Sequence, residues 1–304
     1  MHDIIVVGGG AAGMTAALYA LRNGKSALVI EKDGFGGQIT HSPKVENYPG
    51  TLQMSGNEFA EKMLDQILAQ GAEIEFDKVI SVEDRGEVKI VTTEEGNTFE
   101  GGAVVIATGV KHRMLGLPGE EDLVGEGISF CAVCDGDFYT DRRVCMAGGG
   151  NSALQEAILL SEKCSEVIML QDLDFFTGEQ RLQDVLFSKP NVKAYTGVRI
   201  DRLLQQDGEL RGLVVEDKKS GELRQIPCDG LFVAIGLIPE NEPFKELADL
   251  NGFGYFDSDE RCETKTPGIY VAGDCRSKNV RQLTTAVADG ACAALAACRY
   301  LQMR

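Results

Sequence analysis

Two glycine-rich segments, spanning residues 8–13 and 148–153, constrain the fold of this chain more than any other feature. Each follows an apolar strand pattern and precedes a helical pattern. In such a strand–turn–helix unit, the first glycine permits a tight turn. The second lets backbone amides approach a pyrophosphate, and the last small residue allows close helix–strand packing. The spacing therefore predicts two dinucleotide-binding units, with the small residues Gly8, Gly10, Gly13, Gly148, Gly150 and Ala153 at the turns.

Further strand and hairpin patterns follow each of the two glycine-rich segments. Apolar strands are expected at residues 26–31 and 166–170, and alternating polar and apolar residues at 69–100 and 191–228 predict antiparallel hairpins. A late strand-to-glycine element at 268–274 needs a sheet to join, so the tail is expected to return to the first unit. We predict an α/β fold of two Rossmann-like, three-layer ββα domains. The first comprises residues 1–114 and 240–304, and the second, residues 115–239, is inserted into it.

The acidic residue Glu31 ends the second strand of the first unit. A carboxylate at this place can hydrogen-bond the ribose hydroxyls of a dinucleotide. The corresponding position in the second unit is Gln171, followed by Asp172. The two nucleotide sites are therefore expected to differ in how they recognise a ribose.

Cys131 and Cys134 form the one C-x-x-C among nine cysteines, and the other seven are expected to be buried thiols. Two intervening residues allow one disulfide when the segment opens a helix, whose N-terminus lowers a thiol pKa. Asp135 can act as the acid–base group for the sulfurs or can be a helix N-terminal charge. Half a metal site and two buried thiols are the alternatives, and three histidines with no second cysteine pair disfavour zinc.

Composition and hydropathy limit which partners and which location are expected. The formal charge of -17 disfavours nucleic-acid binding, because a phosphate-binding face needs clustered cationic side chains. No apolar run approaches the roughly 18 residues of a membrane span, and no signal-peptide pattern is visible at the N-terminus. We therefore predict a cytoplasmic protein with no membrane partner. Hydride transfer and disulfide reduction are both two-electron steps, and a flavin can link them.

The chain resembles the low-molecular-weight thioredoxin reductase family over almost its whole length. Residues 36–39 and 45–50 are similar to the family's FAD-binding segment, and residues 107–109 and 131–135 match its next two signatures. Residues 272–274, followed by Arg281 and Gln282, match its C-terminal FAD motif. The resemblance implies that FAD contacts Gly8, Gly10, Ala12, Gly13, Glu31, Gly37, Gln38, Asn47, Thr108, Gly109, Asp274, Arg281 and Gln282.

The same resemblance implies roles for the redox residues. Cys134 faces the flavin, Cys131 attacks the disulfide of thioredoxin or a thioredoxin-like dithiol protein, and Asp135 moves the proton. The inserted domain rotates between two orientations, and the family works as a homodimer. The nicotinamide nucleotide is expected to contact Gly148, Gly150, Asn151, Ser152, Ala153, Gln171 and Asp172.

One stretch departs from the family pattern. Members that use NADPH carry His-Arg-Arg-x-x-x-Arg where this chain has Gln-Asp-Leu-Asp-Phe-Phe-Thr at residues 171–177. Carboxylates repel a 2′-phosphate, so NADH is expected over NADPH. Residues 151–152 and 262–264 are similar to the flavoprotein subunit of bacterial alkyl hydroperoxide reductase, which favours NADH. That protein carries an extra N-terminal thioredoxin-like domain, so here a separate small protein is expected to take the electrons.

Several alternatives stay open from the sequence. Ferredoxin or another donor can replace nicotinamide, leaving the second nucleotide site unused, and NADPH is the third donor considered. A diaphorase or NADH oxidase would pass electrons onward without the thiols. A flavin-binding interaction module would have no use for the dithiol at all.

Overall fold

The two ends of the chain fold together in the computed structural model, which describes residues 1–42 and 44–304. Unit 1 comprises Met1–Lys111 and Ile238–Arg304, and unit 2 comprises His112–Leu237. From the sequence, we predicted the inserted domain at residues 115–239.

The first part of unit 1 builds a mixed sheet. β1 and β2 are apolar on both faces and form a parallel pair, which is typical of a sheet covered on both sides. The sheet order is β3-β2-β1-β6-β5-β4, and β4, β5 and β6 form the predicted antiparallel hairpins. The elements are β1 His2–Val7, α1 Ala11–Arg22, β2 Ala27–Glu31, α2 Gly56–Ala69, β3 Glu73–Phe76, β4 Val79–Arg85, β5 Val88–Thr93, β6 Thr98–Ile106 and β7 Val110–His112.

Unit 2 contains two sheets, one parallel and one antiparallel. Its parallel sheet has the order β11-β10-β9-β15-β8, and a separate antiparallel sheet has the order β12-β13-β14. The elements are β8 Ile128–Ser129, α3 Ala132–Asp135, β9 Arg143–Ala147, α4 Asn151–Ser161, β10 Glu166–Gln171, α5 Gln180–Phe187, β11 Val192–Thr196, β12 Val198–Gln206, β13 Glu209–Asp217, β14 Leu223–Pro227 and β15 Gly230–Val233. The next strand, β16 Leu237–Pro239, begins at the last residue of unit 2 and continues into the sequence of unit 1.

The tail of the chain returns to unit 1 as β17 Ile269–Val271 and α6 Leu283–Gln302. β17 adds to the first sheet as a parallel neighbour of β6, with Ile269 opposite Val104. Helix α6 packs so closely on α1 that a Cβ on Gly290 would lie 2.1 Å from the Ala12 carbonyl oxygen. The predicted α/β class with two dinucleotide-binding domains is confirmed.

One expectation from the sequence, the burial of the seven other cysteines, needs revision. Six of the seven remaining cysteines are buried as predicted, but Cys292 on α6 is exposed. The helix at the C-x-x-C is one turn long, since α3 passes at Gly136 into a 3-10 turn, Gly136–Tyr139. No helix in the described part of the chain is long and apolar enough to cross a membrane.

Candidate active site

The turn between β1 and α1 forms a cradle lined by backbone. Gly8 has φ +107°, and a Cβ there would lie 2.4 Å from the Ala107 carbonyl oxygen. A Cβ on Gly13 would lie 1.8 Å from the Gly8 oxygen, so helix and strand approach as closely as backbone allows. Gly10 differs, because the nearest atom to its Cβ position is 3.8 Å away. The open side at Gly10 and the N-terminus of α1 suit a pyrophosphate.

Glu31 lies directly beside this cradle. Its carboxylate accepts hydrogen bonds from the backbone amides of Gly9, at 2.6 Å, and Asp33, at 2.8 Å. The side chain is buried at the carboxyl end of β2. The predicted ribose-binding acid is therefore held by the turn that would hold the phosphates.

Two distant segments complete the rim of this site. A Cβ on Gly37 would lie 3.5 Å from the Gly10 Cα, and Gln38 follows in the same 3-10 turn, where it is exposed. Asn47 Nδ2 donates a 3.2 Å hydrogen bond to Gln282 Oε1, across 235 positions of sequence. The fold thus brings together residues that the sequence could only assign to one site through the family resemblance.

The segment after β17 contributes a cluster of partly buried charges. Lys278 Nζ lies 3.2 Å from Asp274 Oδ1 and 3.1 Å from Asp289 Oδ2. Asp289 also accepts from the Gly273 amide at 3.1 Å and pairs with Arg276 at 2.7 Å. Burial raises the pKa of Asp274, and the Lys278 ammonium partly offsets that effect. Asp289 therefore anchors the turn that carries Asp274. No sequence motif had indicated Asp289.

Arg281 packs over Tyr255 with its guanidinium carbon 4.3 Å from the ring centroid. Its Nε also donates to the Asp274 carbonyl oxygen at 3.3 Å, which ties the two predicted FAD residues together. Thr108 Oγ1 donates to Asn241 Oδ1 at 3.1 Å. Gly109 has φ +64° and open space around its Cβ position. A glycine is therefore favoured here by the backbone conformation and not by a close contact.

The glycine turn of unit 2 has the same backbone geometry as the glycine turn of unit 1. Gly148 has φ +131°, and a Cβ there would lie 2.5 Å from the Ala234 oxygen and 3.2 Å from the Ala153 Cβ. Gly150 has the same extended backbone before α4 that Gly10 has before α1. Asn151 and Ser152 are exposed in the first helical turn. The backbone geometry for a second dinucleotide is present.

The loop after β10 closes on this turn. Thr177 and Gly178 both donate backbone hydrogen bonds of 2.9 Å to the Gly149 oxygen. Asn151 Oδ1 accepts from the Glu179 amide at 2.7 Å. Gln171 Nε2 donates to the Phe175 oxygen at 3.1 Å, so this side chain is engaged within its own loop.

Two lysines, absent from the sequence-based interpretation, meet the acidic residues of this loop. Lys218 Nζ lies 3.0 Å from Asp172 Oδ1, and Lys219 Nζ lies 3.2 Å from Asp174 Oδ1. Both lysines lie in the turn between β13 and β14, far from the loop in sequence. Only the folded hairpin reveals them, because no spacing rule connects a hairpin turn to a loop about 45 residues earlier.

The two cysteines of the C-x-x-C form a disulfide. The Cys131 and Cys134 sulfurs are 2.13 Å apart, and the Cα atoms are 5.3 Å apart. Cys131 caps α3, and its sulfur accepts a 3.2 Å hydrogen bond from the Cys134 amide. A disulfide in this setting can be reduced and re-formed by thiol exchange.

Asp135 lies immediately after this disulfide and is only partly exposed. Ser129 Oγ donates a 2.6 Å hydrogen bond to Asp135 Oδ2, whereas Oδ1 is buried without a hydrogen-bond partner. Burial raises the pKa of Asp135, and the hydrogen bond from Ser129 partly opposes that rise. A carboxyl group of raised pKa can hold a proton at higher pH than an exposed aspartate does.

A second carboxyl group, that of Glu156 on α4, lies under the same helix. Its Oε2 accepts a 3.3 Å hydrogen bond from the Ala132 amide, the first of α3. Burial raises the pKa of Glu156 to about 7, and the charge of Asp135 adds to the rise. Sequence reasoning missed Glu156, because a glutamate within a helix carries no signal that its carboxyl group contacts another helix.

Two dinucleotide-binding folds and a disulfide within one chain define a nucleotide-dependent disulfide oxidoreductase. The chain belongs to the pyridine nucleotide-disulphide oxidoreductase family, whose model matches residues 2–290.

Curated relatives and solved structures agree with this assignment. The chain is 35% identical to thioredoxin reductase from Bacillus subtilis, over 99% of this chain and 95% of the relative. It is 38% identical to a 34.2 kDa protein in the rubredoxin operon of Clostridium pasteurianum, over 98% and 97%. The structure of thioredoxin reductase from Streptococcus pyogenes superposes with a TM-score of 0.94 at 36% identity, covering 100% and 99%. The predicted thioredoxin reductase resemblance and the enzyme class, an oxidoreductase acting on disulfides, are confirmed.

The residues of unit 1 fit FAD, the flavin that this family implies together with a nicotinamide cofactor. An added Cβ at Gly8 or Gly13 would clash with the backbone of the turn, whereas the space beside Gly10 is open. The Glu31 carboxylate lies beside it, and polar side chains of Asn47 and Gln282 meet at its rim. Such a set offers amides to a pyrophosphate and oxygens to hydroxyl groups.

Proposed function

We propose that this enzyme passes electrons from NADH, through FAD and the Cys131–Cys134 disulfide, to thioredoxin or a thioredoxin-like dithiol protein. The observation that carries the choice of NADH is the ion pairing of Asp172 and Asp174 with Lys218 and Lys219.

FAD in unit 1 would be held by the turn of residues 8–13, by Glu31 and by the rim residues described above. Bound FAD supplies a two-electron carrier between nicotinamide and disulfide chemistry. Gly37, Gln38, Asn47, Thr108, Gly109, Asp274, Arg281 and Gln282 are the further residues proposed to contact it.

The disulfide is the group that changes its covalent bonding. Two electrons break the S–S bond, and two protons convert the sulfurs to thiols. The Cys131 thiolate then attacks the partner disulfide, and Cys134 displaces the partner from the mixed disulfide. The partner leaves with two thiols, and the enzyme disulfide is restored, so atoms and electrons balance.

Asp135 is proposed to provide one of these protons and to take it back. Its raised pKa, caused mainly by burial, lets this carboxyl group hold a proton at higher pH than an exposed aspartate does. The hydrogen bond from Ser129 fixes the carboxyl group in one orientation.

The preference for NADH follows from the charges at the end of β10. Lys218 and Lys219 are each paired with a carboxylate of the loop, which offsets the charges of Asp172 and Asp174. A 2′-phosphate would have to compete with these carboxylates for the lysines, whereas a free ribose hydroxyl can donate to a carboxylate.

Anaerobic stopped-flow mixing with NADH or NADPH tests the donor. We expect NADH to bleach the flavin faster than NADPH does. If neither nucleotide bleaches it at a useful rate, the nicotinamide proposal fails. Cys134→Ser separates the disulfide reductase from a diaphorase, because it should abolish thioredoxin reduction while a diaphorase would keep full activity.

A reduced iron protein such as ferredoxin is the second candidate donor. The relative from Clostridium pasteurianum is described by its place in a rubredoxin operon, which associates it with a one-electron iron carrier. Flavin bleaching by photoreduced ferredoxin, in the absence of nucleotide, would favour this donor.

Two further expectations concern the assembly and the location of the enzyme. A homodimer is proposed for the working enzyme, and analytical ultracentrifugation of the FAD-loaded protein tests it. A cytoplasmic location stays a prediction, which fractionation of the producing cell would check.

A further inference from the structure

Glu156 is a partly buried acid that the proposed electron path does not use. It lies on α4, in the middle of the helix that follows the second glycine turn. The carboxyl group points to α3 rather than to solvent, because its Oε2 accepts from the Ala132 amide. Ala132 lies between the two cysteines, so Glu156 contacts the backbone of the segment that joins them.

We propose that Glu156 is a positioning residue for the Cys131–Cys134 pair, anchoring the first turn of α3 and acting electrostatically on Asp135 and the reduced sulfurs. This inference rests on the proposed function, because it assigns Glu156 to the working disulfide.

The anchoring part follows from the shortness of α3. A helix of four residues has few internal hydrogen bonds, and its first amides need outside acceptors. The Cys131 sulfur accepts from Cys134, and Glu156 accepts from Ala132. Reduction of the disulfide removes the covalent constraint on this turn. The Glu156 contact then remains to hold it.

The electrostatic part follows from the position of two carboxyl groups, those of Asp135 and Glu156, in the same poorly solvated surroundings of α3. Burial and Asp135 together raise the pKa of Glu156 to about 7, so Glu156 changes charge near neutral pH. Each carboxylate disfavours a second negative charge nearby, whether on the other acid or on a thiolate.

Among the residues that the structure describes, Asp135 is the charged group that raises the pKa of Glu156. Helix α4 also packs on α5, β9 and β10, and among the described residues on these elements none adds a charge effect at Glu156. Tyr139 lies near Asp135, but burial raises its pKa to about 12, so it stays neutral. Lys163, at the end of α4, pairs with Asp137. Asp135 is thus the charge to which Glu156 responds.

Alkylation of the reduced holoenzyme by iodoacetamide, as a function of pH, tests the electrostatic part. The protein is reduced with dithiothreitol, with neither nucleotide nor thioredoxin present, and modification of Cys131 is followed by mass spectrometry. Glu156→Gln keeps an oxygen acceptor but cannot ionise. We expect it to shift the Cys131 profile to lower pH by about 0.5–1 unit, with the two proteins agreeing well below pH 7.

Glu162→Gln is the matched control, because it makes the same chemical change at the exposed end of α4. We expect its profile to coincide with that of the unaltered enzyme. A Glu156→Gln profile that also coincides at every pH would overturn the electrostatic part. A failure of thioredoxin reduction would instead affect the proposed function and leave this readout interpretable.

Amide hydrogen exchange at Ala132 in the reduced enzyme tests the anchoring part. Glu156→Ala removes the acceptor and is expected to speed exchange about tenfold, whereas Glu156→Gln is expected to stay near the unaltered rate. Equal exchange in all three proteins would overturn the anchoring role.

Discussion

Ser129 Oγ donates a hydrogen bond of 2.6 Å to Asp135 Oδ2, and these two residues flank the Cys131–Cys134 disulfide in the sequence. Ser129 ends the short strand β8, and Asp135 ends the short helix α3. The bond stabilises the carboxylate form, whereas burial favours the protonated form. The balance between these two effects decides at which pH Asp135 holds its proton.

Ser129→Ala should therefore raise the pKa of Asp135 further. A hydrogen bond of this kind contributes roughly 1 kcal/mol, which corresponds to a shift of up to about one pH unit. We expect the inflection of the pH–rate profile for thioredoxin reduction to move to higher pH by that amount. Ser188→Ala, which removes an exposed hydroxyl bonded to a helix carbonyl, should leave the profile unchanged. A shift to lower pH would contradict the assignment.

Glu156→Gln should change how stability depends on pH. An acid whose pKa rises from 4.5 to about 7 on folding binds its proton more tightly in the folded state. Its contribution is therefore fully present below pH 4.5 and is lost as the pH rises through 7. Glutamine removes this loss, so the variant should gain up to about 3 kcal/mol between pH 4.5 and pH 8.5 relative to the unaltered enzyme. Urea unfolding at the two pH values measures the difference, and parallel pH dependences would refute it.

Removal of the two loop carboxylates should weaken the discrimination against NADPH. In Asp172→Ala/Asp174→Ala, the ammonium groups of Lys218 and Lys219 lose their partners and become available to a 2′-phosphate. Because these pairs are exposed, we expect a modest effect, with the NADPH to NADH ratio of kcat/KM rising roughly threefold to tenfold. Steady-state kinetics with both nucleotides measures it. Asp184→Ala, at an exposed position on α5, serves as the comparison, and an equal rise there would discount the loop.

Gly13→Ala should impair FAD binding. The added Cβ would lie 1.8 Å from the Gly8 carbonyl oxygen, so helix α1 must move away from β1. We expect FAD affinity to fall by about tenfold or more, since such overpacking costs a few kcal/mol. The flavin-to-protein absorbance ratio after gel filtration reports the loss. Gly34→Ala adds a Cβ in open space and should retain FAD, and full retention by Gly13→Ala would show that the turn tolerates displacement.

Short-range patterns predicted much of the fold. The strand expected at residues 26–31 is β2 without its first residue, and the strand expected at 166–170 is β10 with one more residue. Both glycine turns have the positive φ at their first glycine that the motif requires. These features are local, because a strand, a turn and a helix in succession impose their geometry within about 30 residues.

The length of α3 and the surroundings of Asp135 were not predictable in the same way. A C-x-x-C can open a long helix or a single turn, and the outcome depends on the 3-10 turn that follows. Ser129 and Glu156 carry no motif, and each gains its role by lying against α3 in the fold. Even the residues that the family resemblance indicated, such as Asn47 and Gln282, needed the fold to show that they touch.

The sequence by itself determined the two dinucleotide-binding folds and the redox cysteine pair, because backbone conformation and sulfur chemistry depend on residues close together in the chain. Only the tertiary structure decided which charges surround them. Lys218 reaches Asp172 and Glu156 reaches Ala132 because packed elements bring distant residues within hydrogen-bond distance. Burial and neighbouring charge set a pKa, and both are properties of the folded chain.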